Sequence, residues 1–307
     1  MHNLKMSIES LTKFWPLIYS TIQEFWSITE PHIEDAAIRD DVPFELYLYS
    51  ELSLDIFSVE DFQKRDPFTN PEQFEKVFVR LNVKGWIEPM GNATYQVTPK
   101  AREAARQIIQ AGDAQLLNFK SMSDVDLERL TALLKQLVRE NEITPQPPEK
   151  WAILKRFRVA DQDSPWLVQI REYLMDLFAY RDDSHLSASR RYFNQAGIVW
   201  SVLGSLWKED AVTAEHMAEK MSFRGYDVHD YEVAIQAAIE VGWAEEAEVP
   251  GSFRPTQKGK NLREQAERLT NQYYYYPWSV LIPDELDELH HLLTKLRDQL
   301  HTYRRSR

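Results

Sequence analysis

The spacing of large apolar residues predicts a long buried helix at the start of each half of the chain. In the window 10–29 these residues recur every three or four positions, which places them on one face of an α-helix. They are Leu11, Phe14, Leu17, Ile18, Ile22, Phe25 and Trp26, and the second half repeats the period with Trp166, Leu167, Ile170, Leu174, Leu177 and Phe178. An apolar, aromatic-rich stretch follows in each half, at 44–52 and 197–207, and is predicted as a core helix.

Each half then carries the pattern of a short helix, a turn and a longer helix. Ser58 and Thr213 can each cap a helix, because a side-chain oxygen accepts from free amides there and the following acids suit the positive end. The longer helices are predicted at 70–84 and 228–241, and the glycine after each is typical of a helix end. This order is that of a helix-turn-helix.

After the Gly-Trp pair that follows each longer helix, the period changes from helical to alternating. Turn residues at 90–94 and 248–252 separate short strand-like segments, which predicts a β-hairpin, or wing, in each half. A polar helix beginning near Thr98 or Thr256 follows, and a leucine-rich helix then closes each half. The leucine-rich segments are 123–137 and 283–296.

The parallel order of these segments predicts a tandem duplication. Prolines within 145–148 cannot continue a helix, because proline lacks the amide donor and its ring clashes with the preceding turn, so we place the break between the copies there. The predicted domains are a first repeat at 1–143, a linker at 144–163 and a second repeat at 164–307. The expected fold class is mainly α with small β-hairpin wings, in two tandem winged-helix (helix-turn-helix) repeats.

The segments that flank each hairpin resemble the MarR family of winged-helix transcription regulators. The first copy has Lys84-Gly-Trp-Ile-Glu before the hairpin and Val97-Thr-Pro-Lys-Ala-Arg after it, and the second copy has Thr256-Gln-Lys-Gly-Lys260. The last segment is similar to the family's Leu-Thr-x-x-Gly-Arg/Lys turn, whereas Ala101 stands at the glycine position of the first copy. The resemblance implies a DNA-binding transcription regulator, and a tandem chain would resemble a covalent form of the family's homodimer, a pseudo-dimer.

The resemblance also implies where double-stranded DNA would bind. Two-fold helix-turn-helix proteins place their recognition helices in successive major grooves about 34 Å apart. The residues expected to face DNA are Asn70, Gln73, Lys76, Arg80, Asn92, Arg224, His229, Arg254 and Lys258. Further cations, at Lys64, Arg65, Lys150, Lys155, Arg156 and Arg158, are either phosphate contacts or ordinary solvated charges.

The longer helices also carry acids, which leaves a second interpretation open. Glu72 and Glu75 in the first copy, and Asp227, Asp230 and Glu232 in the second, would face phosphates at a repulsive cost. The alternative is a winged-helix adaptor that does not bind DNA. It would use these acidic faces for a basic protein partner.

An aromatic run before the last helix is the candidate ligand pocket, formed by Tyr273, Tyr274, Tyr275, Tyr276 and Trp278. Aromatic side chains beside a junction of helices suit a flat ligand, and the MarR resemblance implies a small aromatic effector. The other interpretation is that the tyrosines pack against the N-terminal helices with their hydroxyl groups at the surface.

Composition limits the classes of protein and of chemical site that remain. The net charge of −12 means that any DNA contact must come from local patches. The chain has no cysteine, which excludes disulfides and thiolate sites. No window approaches the roughly 20 apolar residues of a membrane span, and no secretory signal is visible, so a cytoplasmic location is expected. Without catalytic, cofactor-binding or metal-ligand motifs, we expect no enzyme activity, no cofactor and no metal site.

Overall fold

A computed structural model describes residues 7–43, 56–120, 122–192 and 197–306. The core helix predicted at 44–52 lies outside these ranges. The chain divides into two units, each assembled from separated segments. Unit 1 comprises Met1–Asp55, Val97–Ser184 and Asn271–Arg307, and unit 2 comprises Ile56–Gln96 and His185–Thr270.

The described elements of the two halves follow one another in a similar order. In the first half they are α1 (Ile8–Leu11), α2 (Phe14–Arg39), β1 (Ile56–Phe57), α3 (Val59–Arg65), α4 (Pro71–Val83), β2 (Ile87–Gly91), β3 (Thr94–Val97), α5 (Pro99–Asp113) and α6 (Asp124–Ile143). In the second half they are α7 (Ala152–Lys155), α8 (Trp166–Ser189), α9 (Gly197–Lys208), α10 (Ala214–Lys220), α11 (Val228–Glu240), β4 (Ala244–Glu246), β5 (Phe253–Pro255), α12 (Gln257–Tyr275) and α13 (Pro283–Arg305).

The units do not follow the predicted division of the chain at 144–163. Unit 2 contains the short helix, the longer helix and the hairpin strands of both halves, apart from Val97 at the end of β3. Unit 1 contains α2, α5, α6 and α13 together with most of α8. The repeated order agrees with the proposed duplication, whose boundaries stay a prediction.

Unit 1 has a core of long helices. The apolar face predicted near the N-terminus is buried on α2, where Phe14, Ile18 and Phe25 are almost fully covered. The leucines of α6 and α13 belong to the same core. Two ion pairs connect these helices: Arg129 lies 2.7 Å from Glu288 and Lys295 lies 2.8 Å from Asp126. The side chains of both pairs are partly exposed, so each pair contributes little to the free energy of folding. Burial of apolar side chains therefore holds the unit together.

The segment predicted as a linker is anchored within unit 1. Helix α6 ends at Ile143, directly before the prolines, as expected. The buried Asp183 carboxylate accepts the amides of Ala152 at 2.8 Å and Ile153 at 3.0 Å, which caps α7. The ammonium group of Lys150 donates to backbone carbonyls at the end of α6. The ammonium group of Lys150 is therefore bound by backbone carbonyls of this chain rather than presented to a phosphate.

Two further cations that could have contacted phosphates are paired with acids of α8. Arg156 binds Glu172, and its Nη1 lies 2.8 Å from Asp176, while Arg158 Nε lies 3.0 Å from the same carboxylate. Burial alone would raise the pKa of Glu172, but the charges of Arg156 and Arg171 lower it to about 2. The side chain of Arg156 is 6% exposed, so in this structure it is neither a phosphate contact nor a solvated charge.

Unit 2 has a different core in each half. In the first half, aromatic rings of β1, α3, α4 and β3 pack together within about 5–6 Å, centroid to centroid. The strands form a sheet in the order β1-β3-β2, with Phe57 opposite Tyr95. In the second half, the core between α9, α10 and α11 surrounds the buried ring of Tyr231 with smaller side chains, among them Met217, Ala234 and Ile235. Strands β4 and β5 pair with Glu245 opposite Arg254.

The predicted helix ends and caps are confirmed in both halves. Gly85 and Gly242 follow the longer helices with φ of 70° and 73°, a left-handed conformation that glycine adopts without strain. The side chain of Thr98 accepts the amide of Ala101 at 3.2 Å, and that of Thr256 accepts the amide of Gly259 at 3.1 Å. A Cβ on Gly259 would lie 2.2 Å from a backbone oxygen, so only the second copy requires glycine at this position.

Candidate nucleic-acid interface

Helix α4 exposes a row of cations. Asn70 caps it by accepting the amide of Glu72 at 3.0 Å, and Pro71 at the first position costs no hydrogen bond. Because the apolar residues are buried on one side, the opposite side carries exposed Lys76, Arg80 and Lys84. These three stand four residues apart, so they lie along one helix face. We call this row the α4 cationic face.

Glu72 lies on the same face, with its carboxylate 3.9 Å from Lys76 Nζ. Both side chains are well exposed, so the pair contributes about 0.5 kcal/mol or less. A phosphate could therefore replace Glu72 at small cost. Lys64 on α3 has a closer partner, Asp61 at 3.0 Å.

Helix α11 and the hairpin after it expose acids instead. Asp227 caps α11 in a reciprocal arrangement with Asp230, and Tyr231 and Ile235 are buried below. No Lys or Arg stands between Gly225 and Phe253. The acids of this stretch are Asp227, Asp230, Glu232, Glu240, Glu245, Glu246 and Glu248. We call this surface the α11 acidic face.

The cations next to the α11 acidic face are bound by their own neighbours. Arg254 Nε lies 3.0 Å from Glu245, and Lys258 Nζ donates to the carbonyl of Val241 at 2.6 Å. His229 is exposed with its ring 3.4 Å from Glu232. The second copy therefore offers phosphates little uncompensated positive charge.

The loops that precede the two longer helices touch each other within unit 2. The Asn70 amide donates to the carbonyl of Arg224 at 2.9 Å, and its side-chain nitrogen donates to the carbonyl of Gly225 at 3.2 Å. Gly225 has φ of 70°, and a Cβ there would lie 2.8 Å from the Cβ of Gln73. We call this the Asn70 contact. It brings together the N-terminal ends of α4 and α11.

The Asn70 contact is incompatible with the spacing of about 34 Å expected for recognition helices. Gly225 is two residues before Asp227, and each residue spans at most about 3.6 Å, so the N-terminal ends lie within about 15 Å of each other. Base edges are read mainly by residues at these ends. The expectation of two successive major grooves is therefore not met in this structure.

A cavity of about 230 Å³ lies beside the Asn70 contact. Its lining includes Phe68 from the first copy and residues of α9, α10 and α12 from the second. The lining residues are Phe68, His185, Trp200, Ser201, Gly204, Ser205, Lys208, Asp210, Lys220, Met221, Arg224 and Arg263. We call it the unit 2 cavity.

Two guanidinium groups dominate the electrostatics of the unit 2 cavity. Arg224 donates to the hydroxyl of Ser201 and lies 5.2 Å from the ring centroid of Phe68. Arg263 is 5% exposed and stacks on Trp200 at 4.5 Å. Burial lowers the pKa of Arg263 because it penalises the charged form. Arg224 was expected to face DNA, and in this structure it lines the unit 2 cavity.

All nine residues expected to face DNA lie in unit 2, on several separate surfaces. Lys76 and Arg80 share the α4 cationic face, while Asn92 is exposed in the turn between β2 and β3. The others lie at the Asn70 contact or around α11. Those are Asn70, Gln73, Arg224, His229, Arg254 and Lys258. Their assignment to DNA stays a prediction.

The residues expected to form a ligand pocket lie in unit 1. Tyr274 is fully buried, with its ring 5.7 Å from Trp15 and 5.8 Å from Trp278. The hydroxyl of Tyr275 accepts the Trp15 amide at 3.1 Å, and burial raises the pKa of Tyr275 to about 12. Tyr276 is 55% exposed. A flat ligand would have to displace core rings, so the packing gives the effector assignment no support.

Of the residues that line the unit 2 cavity, sequence reasoning singled out Arg224, as a DNA contact, and missed the site that the others form with it. Phe68 and Ser201 have no distinguishing local pattern, and Arg263 stands in a polar stretch that predicts a solvated helix face. The burial of Arg263 depends on Trp200 and Trp207, which are distant in the sequence. Arg263 stands four residues before Glu267, a spacing that indicates only an ordinary ion pair on the surface of one helix.

The sequence model of a helix-turn-helix family matches residues 180–304. No curated protein and no solved structure is significantly similar to the chain. The matched region contains α10, α11 and the hairpin after them, so the second half of the chain contains a helix-turn-helix domain. Domains of this class are widely used by DNA-binding regulators.

In the ranges that the structure describes, no helix is both long enough and apolar enough to cross a membrane. The same residues contain no group of three or more His, Asp or Glu side chains arranged to hold a metal ion.

Proposed function

We propose that this protein is a transcription regulator that contacts double-stranded DNA through the α4 cationic face. The proposal rests on one observation, the alignment of exposed Lys76, Arg80 and Lys84 along one side of a helix. The helix-turn-helix family match at residues 180–304 supports the same class of function, although it does not include α4.

The charge distribution favours contact with phosphates over reading of base edges. The N-terminal end of α4, which would enter a major groove, is engaged in the Asn70 contact. The cations lie further along the helix, and Lys and Arg contacts to phosphates release condensed counterions. We therefore expect weak sequence preference and strong salt dependence.

Charge reversal on α4 tests this proposal. We expect Lys76→Glu and Arg80→Glu each to weaken binding of a labelled 30-base-pair duplex about tenfold at 50 mM salt, because each removes a phosphate contact. Fluorescence anisotropy measures the affinity. Arg268→Glu is the matched control, since Arg268 is exposed on α12 beside Glu264.

The control should keep the affinity of the unchanged protein. If both α4 variants bind DNA as well as the control does, the assignment of the α4 cationic face is wrong. Circular dichroism would verify that all three variants are folded.

A second candidate function is an adaptor that binds a basic protein partner through the α11 acidic face. The specific observation is the absence of Lys and Arg from Gly225 to Phe253, in a stretch with many exposed carboxylates. Carboxylates at this surface repel phosphates and attract cationic peptides.

A lysine-rich peptide is the probe for the adaptor function. We expect Glu245→Lys and Glu246→Lys to abolish its binding, while Glu264→Lys on α12 leaves it unchanged. Equal losses in all three variants would indicate general charge attraction and would contradict a dedicated face.

We further propose that the chain is a MarR-like tandem duplication, with repeats at 1–143 and 164–307 forming a pseudo-dimer. The repeated order of elements and the matching threonine caps support this proposal. A response to a small aromatic ligand remains part of it. Unchanged intrinsic fluorescence and melting temperature in a titration with salicylate-like ligands would remove that part.

A further inference from the structure

We propose that the unit 2 cavity binds a small anion through a phosphate group. The site would be formed by the guanidinium groups of Arg224 and Arg263, the ammonium group of Lys208 and the hydroxyl of Ser201. This ligand and this position differ from the aromatic effector expected at Tyr273–Trp278.

The cavity contains more positive than negative charge. Asp210 lies 3.1 Å from Lys220, and these two charges offset each other. Glu267 forms an ion pair with Arg263 at 3.7 Å, although this distance is longer than a hydrogen bond. The charges of Arg224 and Lys208 remain as an excess of two. A dianion would balance it.

The two guanidinium groups also have donors that are not used within the described part of the chain. Nε of Arg224 and Nε of Arg263 are buried and have no hydrogen-bond partner among those residues. A buried donor without a partner is costly, and a buried charge more so. An anion entering the cavity would supply acceptors to both groups.

The backbone leaves space next to Arg263. Gly204 of α9 lines the cavity, and a Cβ there would lie 3.8–3.9 Å from the guanidinium atoms of Arg263. The cavity of about 230 Å³ exceeds the roughly 30 Å³ that one water occupies in the liquid. A phosphate with a small organic group would fit.

Phosphate suits this arrangement better than a single carboxylate. A guanidinium group forms two parallel bonds to a phosphate or carboxylate. A phosphate has additional oxygens that can accept from a second guanidinium and from the Ser201 hydroxyl. Its second charge also matches the surplus of cations.

Binding of inorganic phosphate to the full chain tests the proposal, because every ligand of this class contains that group. We expect saturable one-to-one binding in isothermal titration calorimetry at constant ionic strength. Arg224→Met and Arg263→Met should each weaken it about tenfold to a hundredfold, the usual effect of losing a charge-assisted hydrogen bond. Arg268→Met is the matched control on α12 and should bind normally.

Glycerol 3-phosphate distinguishes the two sources of the phosphate group. Tighter binding than inorganic phosphate would indicate an organic ester, and equal binding would indicate the free ion. No saturable binding of either probe at millimolar concentration would overturn the proposal. Equal binding by both arginine variants and the control would overturn it too.

Gly204→Ala provides an independent test that keeps both arginines. Its methyl group would stand in ordinary contact with the Arg263 guanidinium and occupy part of the space for the anion. Alanine also favours a helix over glycine, so the variant should fold at least as well. We expect weaker phosphate binding with no loss of melting temperature, and unchanged binding would contradict the proposed position.

Discussion

Helices α4 and α11 follow the same order of elements but carry opposite charges. Helix α4 presents Lys76, Arg80 and Lys84 on its exposed face. The stretch from Gly225 to Phe253, which contains α11 and the hairpin after it, presents carboxylates and has no lysine or arginine. The shared order of elements is therefore insufficient to define what each half of the chain binds. The side chains on its outer face decide that question, and here they favour different partners.

The interiors of the two halves of unit 2 differ as well. The first relies on several packed aromatic rings, and the second on alanine, methionine and isoleucine side chains around one buried ring, that of Tyr231. The Asn70 contact joins the two surfaces at their N-terminal ends. The two halves of unit 2 can thus differ in chemistry while forming one unit.

The largest expected effect concerns the aromatic core of the first copy. Phe78 is fully buried, with its ring 5.1 Å from Phe57 and 5.2 Å from Phe62. We expect Phe78→Ala to lower the free energy of unfolding by about 3–5 kcal/mol, from lost burial and the cavity left behind. Urea denaturation measures this change.

Ala238→Gly in the second copy is the comparison, since Ala238 is also fully buried but small. Ala238→Gly should lower the free energy of unfolding by about 1 kcal/mol, mainly because glycine has a lower helix propensity than alanine. If Phe78→Ala and Ala238→Gly lower the free energy of unfolding equally, the first core does not depend on its aromatic packing.

The next effect tests the Asn70 contact. Gly225→Ala must strain a left-handed backbone and also force a methyl group against Gln73. We expect a loss of about 2–3 kcal/mol in the free energy of unfolding. Thermal unfolding and amide exchange at Asn70 measure it.

Gly85→Ala is a matched control, because Gly85 has the same φ of 70° but nothing within 4 Å of a Cβ. Backbone strain alone should then cost about 1–2 kcal/mol. Equal losses in both variants would mean that the close approach to Gln73 contributes nothing.

The smallest expected effect is on DNA affinity, when a charge on α11 is reversed. Glu232→Lys replaces an exposed carboxylate of α11 with an ammonium group. We expect DNA affinity at 50 mM salt to rise by about threefold to tenfold, because a repulsive charge is removed and a cation is added. Fluorescence anisotropy would detect the change, and an unchanged affinity would show that α11 does not approach DNA.

Much of the local structure could be predicted from the sequence. The caps at Ser58 and Thr213, the helix ends before Gly85 and Gly242, and the end of α6 at the prolines are all confirmed. These features depend on residues within one or two turns of each other, so a local pattern contains them.

The Asn70 contact and the unit 2 cavity could not be predicted in this way. Asn70 and Gly225 are 155 positions apart in the chain. Likewise, the burial of Arg263 depends on tryptophans of another helix. Helical periodicity carries no information on such distant neighbours.

The salt dependence of DNA binding tests the central claim most directly. If three cations of α4 contact phosphates, a plot of log affinity against log salt should have a slope of about −3, and Lys76→Gln should reduce its magnitude by about one. A slope near zero, no binding at 50 mM salt, or a slope that Lys76→Gln leaves unchanged would contradict the claim.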